Sequence, residues 1–161
     1  MPWYQTIETG FDRQLPAAAE ANGLEVFREF LDEEGQPTET AKVGETVRIR
    51  VTVRNISKAK QPNLAVNELL PGAFDFAPQG EPLALKPGLN TLEGAEYVDV
   101  REDRALIFCG LEENETRTFE YAVRPTCAGT FSVPPSFAES MYDRTVRGRG
   151  AAAKFNVLPR E

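Results

Sequence analysis

From Thr46 to Arg54 the chain reads Thr-Val-Arg-Ile-Arg-Val-Thr-Val-Arg, so that Val47, Ile49, Val51 and Val53 alternate with threonine and arginine. Period two with β-branched residues on the apolar parity specifies a strand with one dry face and one wet face. An amphipathic helix would need its apolar residues three and four apart. Phe119, Tyr121 and Val123 repeat the pattern against Thr118, Glu120, Ala122 and Arg124. Leu24 and Val26, Val98 and Val100, Phe131 and Val133, and Phe155 and Val157 give shorter versions. One-sided strands of this kind are the signature of antiparallel sheet.

Turn chemistry separates these segments. Glu34-Gly35-Gln36-Pro37, Pro71-Gly72, Lys86-Pro87-Gly88, Glu112-Glu113-Asn114-Glu115 and Ala128-Gly129 are all suited to chain reversal. Good helix formers concentrate only in Leu15 to Asn22, a stretch too short for a stable helix. That stretch is read as a linker or single turn after an N-terminal strand over Trp3 to Gly10. Residues 1–22 are thus strand and linker, and 23–161 form one domain. The expected fold is an all-β, antiparallel, immunoglobulin-like β-sandwich of eight or nine short strands. Residues 106–109 and 117–123 are expected to make a hairpin around Asn114, with Cys109 opposite residue 119. Cys127 then lies too far along to reach Cys109, so no disulfide is expected.

Composition limits the chemistry. The chain has no histidine, two cysteines and a net charge of −7, with 25 acidic against 18 basic side chains. A Ser-His-Asp triad, a Cys-His dyad and an imidazole-ligated zinc are therefore excluded, and two thiols do not make a four-cysteine site. A calculated pI of about 4.8 lacks the electrostatic footprint of a nucleic-acid binder. No metal and no cofactor is expected, and no enzyme. No apolar run approaches the roughly 18 residues of a transmembrane helix. Met1-Pro2 followed at once by a strand-like Trp3 to Ile7 is expected to be a start within a longer polypeptide.

Few clusters stand out. Asp32-Glu33-Glu34 precedes Gly35 without the alternating oxygens of a calcium loop and reads as a solvated turn. Asn55-Ile56-Ser57 and Asn114-Glu115-Thr116 match the N-glycosylation pattern at expected strand ends. Arg144, Arg147 and Arg149 concentrate positive charge near the C-terminus, either as a clamp for an acidic surface or as a solvated strand edge. Upstream, Val133-Pro134-Pro135-Ser136 leads into Phe137, Met141 and Tyr142. On composition these three are core or rim residues. An exposed Met-Tyr pair would instead be an interface anchor.

The order of segments is similar to a known family. Gly23-Leu24-Glu25-Val26, Arg28-Glu29-Phe30-Leu31-Asp32, Gly35-Gln36-Pro37 and Lys42-Val43-Gly44-Glu45 lead into the long alternating strand. Then come Glu68-Leu69-Leu70-Pro71-Gly72-Ala73-Phe74 and the long block from Gly129 to Asp143, continued by Val146-Arg147-Gly148-Arg149. Over about residues 23 to 158 this resembles the last, C-terminal macroglobulin-like domain of bacterial alpha-2-macroglobulins. The Pro-Pro to Met-Tyr-Asp block is the specific part.

The resemblance implies a domain of a large periplasmic protease inhibitor, its parent held at the inner membrane by a lipid anchor in many members. Most members trap a protease when a bait region is cut and an internal thioester is released. This sequence lacks the thioester motif, because Cys109 is followed by Gly110-Leu111-Glu112-Glu113, without the required glutamine. By motif match Met141 and Tyr142 are the residues that contact and cover the thioester-containing domain of the same parent chain. Arg144, Arg147 and Arg149 are candidate rim contacts. Target proteases are met only through the parent, and the isolated domain is expected to be monomeric. The alternative is a free-standing immunoglobulin-like adhesion or carbohydrate-binding module.

Overall fold

The computed structural model describes Thr6, residues 15–89 and residues 91–160. In chain order the strands are β1 (Glu20–Asn22), β2 (Leu24–Leu31), β3 (Thr40–Lys42), β4 (Val47–Asn55) and β5 (Gln61–Leu69). They continue with β6 (Phe74–Phe76), β7 (Gly88–Leu89), β8 (Tyr97–Val100), β9 (Arg104–Leu111) and β10 (Thr116–Pro125). The last are β11 (Gly129–Val133), β12 (Phe137–Ser140), β13 (Arg147–Arg149) and β14 (Ala153–Leu158). Helix is absent among the described residues, as the alternation requires. The strands beyond the eight or nine expected are mostly two to four residues long, too short to show a period.

Two sheets make the sandwich. One has seven strands in the order β1-β13-β12-β5-β9-β8-β7, and the other has four in the order β2-β4-β10-β6. A three-stranded sheet, β11-β14-β3, sits apart, with β3 and β14 parallel. All other pairings between named strands are antiparallel.

The expected hairpin around Asn114 does not form. β9 pairs with β5 and β8, whereas β10 pairs with β4 and β6. Residues 112–115 are therefore an arch from one sheet to the other, and Cys109 lies opposite Leu64, not residue 119. The connection from β4 to β5 is a second arch. Asn55 ties the two together: its Nδ2 donates to the Ala59 and Glu112 carbonyls at 2.8 and 2.9 Å, and its Oδ1 accepts the Ser57 N–H and hydroxyl. Asn55 is fully buried and its amide is spent, so its sequon is a structural clamp and no glycan acceptor.

The linker reading also needs correction at its end. Glu20–Asn22 is a strand paired with Arg147–Arg149. The chain has joined the sheet before residue 23. The strand expected over Trp3 to Gly10 falls, apart from Thr6, outside the described residues.

The core fills the space between the sheets with the alternating residues of both. Val26, Ile49, Val51 and Val53 from one sheet face Leu64, Val66, Ala105 and Ile107 from the other, all buried. At one end Phe30, Phe74 and Phe155 form a ring cluster with centroids 4.9 to 6.1 Å apart, in the tilted and edge-on geometries that aromatic pairs favour. Gly148 faces inward on β13, where a Cβ would run into the Leu24 carbonyl, so only glycine lets β13 lie this close over β2.

One polar cluster interrupts the core. Glu68 of β5, fully buried, accepts a hydrogen bond from Arg28 Nη1 of β2 at 3.2 Å and from Tyr121 Oη of β10 at 3.2 Å. Arg28 also donates to the carbonyls of Leu69 and Pro134. Burial pushes the Glu68 carboxyl up while Arg28 pulls it down, and burial together with Glu68 pushes the Tyr121 phenol up. The charges are paired across the sandwich, as buried charges must be. Their effect is to lock the two sheets in one relative position.

Candidate functional site

The turn between β12 and β13 carries the sequence-predicted pair. β12 faces inward with Ala138 and Ser140 and outward with Phe137 and Glu139, and Met141 is next in the outward series. The pairing of β5 with β9 slips between Gln61 and Leu64. Within this bulge the Asn63 carbonyl points to the other neighbour and accepts the Met141 N–H at 2.9 Å.

The rest of the turn is closed by its own polar groups. Ser140 N–H donates to Val146 O at 2.9 Å, Val146 N–H to Asp143 O at 3.0 Å and Asp143 N–H to Ser140 Oγ at 3.3 Å. Asp143 Oδ1 accepts the Thr145 N–H at 3.0 Å and the Thr145 hydroxyl at 2.6 Å. These two donors hold the Asp143 carboxyl below the usual aspartate range. The backbone of the turn is thus fixed from several sides.

Its two large side chains are not buried. Met141 is 52% exposed and Tyr142 is 82% exposed. A core or rim position is thereby ruled out for Tyr142. The turn thus presents an aromatic ring with a hydrogen-bonding tip beside a flexible thioether at the surface. The Pro-Pro-Ser-Phe run that precedes it is half-buried to buried and sets β12 in place.

The three arginines separate into two environments. Arg144 is exposed in the same turn as Tyr142. Arg147 and Arg149 lie on β13 and reach Glu20 of β1 at 3.8 and 3.3 Å. Their positive charge is therefore shared with this chain's own carboxylate.

The remaining candidates have plain roles. Asp32 closes its own turn, with its Oδ1 accepting the Gln36 N–H at 2.7 Å. Among the described residues no group of three or more cysteine, aspartate and glutamate side chains is placed to hold a metal. Both cysteines are free thiols, Cys109 buried and Cys127 exposed. Burial pushes the Cys109 thiol up to about 11, which keeps it protonated and unreactive near neutrality.

What the pattern of the sequence did not reveal is the outer face of the seven-stranded sheet. Register aligns Phe137, Asn67, Leu106 and Asp99 in one row and Glu139, Ala65, Phe108 and Tyr97 in the next. Phe137, Leu106 and Phe108 are half-buried, Tyr97 is 41% exposed, and the Tyr97 and Phe108 rings lie 5.9 Å apart. The available signal was the unbroken apolar run Leu106 to Cys109, in which both parities are apolar. Such a run is how a strand with two apolar faces reads in a sequence.

A family model described as "Bacterial Alpha-2-macroglobulin MG10 domain" matches residues 23–144. An alpha-2-macroglobulin homolog of Yersinia pestis is 34% identical over 164 aligned residues, which cover 90% of this chain and 8% of that protein. Alpha-2-macroglobulin of Rickettsia conorii is 29% identical over 96% of this chain and 8% of its own length. The native conformation of Escherichia coli alpha-2-macroglobulin superimposes with a TM-score of 0.79 at 25% identity, over 93% of this chain and 10% of that one. Salmonella alpha-2-macroglobulin reacted with methylamine gives 0.78 at 25% identity, over the same shares. The chain spans only 8–10% of the length of these relatives. It belongs to the bacterial alpha-2-macroglobulin MG10 family, as a non-catalytic macroglobulin-like domain of an alpha-2-macroglobulin-like protein.

Proposed function

We propose that this domain is the C-terminal, last macroglobulin-like domain of its parent inhibitor and that it covers the thioester of a neighbouring domain in the resting state. Met141 and Tyr142 are the covering pair, and Arg144, Arg147 and Arg149 form the rim of the contact. The observation that carries this reading is a fixed turn that leaves Tyr142 82% exposed. A side chain of that size, carried into solvent by a turn that six hydrogen bonds hold, has a partner to meet.

The chemistry is one of exclusion. A thioester is lost to water and amines unless both are kept from its carbonyl, and every 1.36 kcal/mol of added barrier is about tenfold in rate. An aromatic lid seated over the bond removes the approach path, while the phenol tip fixes the orientation of the ring. The contact must also release when cleavage elsewhere moves the domain, which suits a few anchors better than a wide obligate interface. The domain itself contributes no nucleophile, and the buried Cys109 is not the thioester residue. The parent is then a periplasmic inhibitor of proteases, anchored at the inner membrane by lipid.

The test uses the full-length parent. Tyr142→Ala should speed its inactivation by methylamine about tenfold or more, with the thermal unfolding of this domain unchanged. An unchanged methylamine rate would rule out the covering role.

A further inference from the structure

We propose that the contact with the thioester-bearing neighbour extends beyond the Met141–Tyr142 turn and down the outer face of the seven-stranded sheet. Phe137, Leu106, Phe108 and Tyr97 are its floor, and an apolar, weakly charged surface of that same neighbour is its occupant. This inference rests on the covering role proposed for Tyr142.

Three observations carry it. The first is continuity. Phe137 and Glu139 point outward along β12, Met141 follows them in the alternation, and its N–H is bonded to Asn63 of β5, the next strand of the sheet. The face and the turn are therefore one surface. From the turn it crosses β12, β5, β9 and β8, with Phe108 and Tyr97 in ring contact at its far side.

The second is charge. At the margins of the face most charges are matched within this chain, with Glu139 of β12 outside these pairs: Arg101 with Asp99 at 2.9 Å, Arg104 with Asp103 at 2.6 Å, and Arg149 with Glu20 at 3.3 Å. The centre contributes Ala65, Asn67, Leu69, Leu106 and Phe108, flanked by the carboxylates of Glu139 beside Ala65 and of Asp99 beside Leu106. A surface with an apolar middle and a self-neutralised border selects an apolar partner with little net charge. A strongly acidic partner would find no cation to pair with at its centre.

The third is the contrast with the other outer face. The four-stranded sheet presents Arg48, Arg50, Arg54, Glu25, Glu29 and Glu120, paired along and across its strands. Both sheets have the same inward alternation, so folding of the sandwich does not itself require the difference between the outer faces. With 8–10% of a relative's length in this chain, the parent supplies ample surface for one face to be covered and one to stay wet.

The deciding experiment compares four variants of the full-length parent by their methylamine inactivation rates: Tyr142→Ala, Phe108→Ser, Tyr97→Ser and Phe27→Ser. Phe27 is 60% exposed on the four-stranded sheet and serves as the opposite-face reference. Phe108→Ser and Tyr97→Ser should each speed inactivation about threefold or more, with Tyr142→Ala largest and Phe27→Ser at the wild-type rate. Tyr97 lies near the sheet edge, so its variant decides the matter should Phe108→Ser fail to fold. If Tyr142→Ala speeds inactivation while Tyr97→Ser and Phe108→Ser do not, the extended face is wrong and the lid stands. If none of the four changes the rate, or methylamine does not act on the parent, the lid falls and the face with it. An equal acceleration by Phe27→Ser would also overturn the inference, since the two faces would then not differ. So would a parent that sediments as a dimer and becomes monomeric on Phe108→Ser at an unchanged methylamine rate, which would make a second copy the occupant.

Discussion

The two sheets of this domain are alike inside and opposite outside. Inward, β4 presents Val47, Ile49, Val51 and Val53, and β9 presents Ala105, Ile107, Cys109 and Leu111, all buried. Outward, β4 presents Arg48, Arg50, Thr52 and Arg54, whereas β9 presents Leu106, Phe108 and Gly110 beside a terminal Arg104. Water is the natural neighbour of the first set. The other set is apolar and half-buried, and is the surface we propose to meet a second protein. A sandwich needs only two inner faces to fold, so each outer face is free to record what the domain meets in its working setting.

That comparison depends on the sheets being locked to each other, and the largest expected effect comes from unlocking them. Arg28→Ala leaves the Glu68 carboxylate buried without its cation and should cost about 3–5 kcal/mol, read from urea unfolding of the 161-residue chain. The double variant Arg28→Met, Glu68→Leu should recover most of that loss, short of about 1–3 kcal/mol for the Tyr121 hydroxyl left unpaired. A double variant no more stable than Arg28→Ala would mean that the lock is not the ion pair.

The charged face should respond weakly and in proportion to salt. Arg50 lies 2.6 Å from Glu120 and 3.9 Å from Glu29, and all three side chains are about one-third exposed. Arg50→Gln should therefore cost about 0.5 kcal/mol at low ionic strength and close to nothing in 1 M salt. The apolar face should show no such dependence, and a salt effect of equal size for Phe108→Ser would erase the distinction between the faces.

The smallest expected effect is on the turn that joins the apolar face to Tyr142. Asp143 is held below its usual range by the Thr145 hydroxyl and N–H. A depressed carboxyl favours the folded turn above the unfolded value and loses that contribution as pH falls through the depressed one. The Thr145 amide should therefore stay protected from exchange at neutral pH and lose protection only on strong acidification. Asp143→Ala should remove that protection at every pH. Persistent protection in Asp143→Ala would show that the neighbouring backbone bonds suffice.

These differences explain what could be read from the sequence. β4 and β10 stand out because the polar residues on their wet faces, chiefly Arg, Thr and Glu, complete a clean period of two. β5 is hidden, since Ala65 and Leu69 are apolar on the outward parity and Glu68 is charged on the inward one. β9 shows only as an apolar run for the same reason. The false hairpin follows from local information: Glu112 to Glu115 has turn chemistry, but nothing nearby in the chain states that β9 prefers β5 while β10 prefers β4. Asn55 fails as a glycosylation site because its burial arises from residues 59 and 112. The motif marks Met141 and Tyr142, whereas their exposure follows from the turn geometry. Glu20 was not legible as the partner of Arg147 and Arg149, because β1 is three residues long and pairs across most of the chain.

The most direct measurement is oxidative footprinting of the full-length parent before and after reaction with methylamine, read at Met141, Tyr142, Tyr97, Phe108 and Phe27. The expected result is protection of Met141, Tyr142, Tyr97 and Phe108 in the resting parent, their labelling after reaction, and Phe27 labelled alike in both states. Equal labelling of Tyr142 before and after reaction would contradict the covering role, and protection of Phe27 in place of Phe108 would place the docking face on the four-stranded sheet instead.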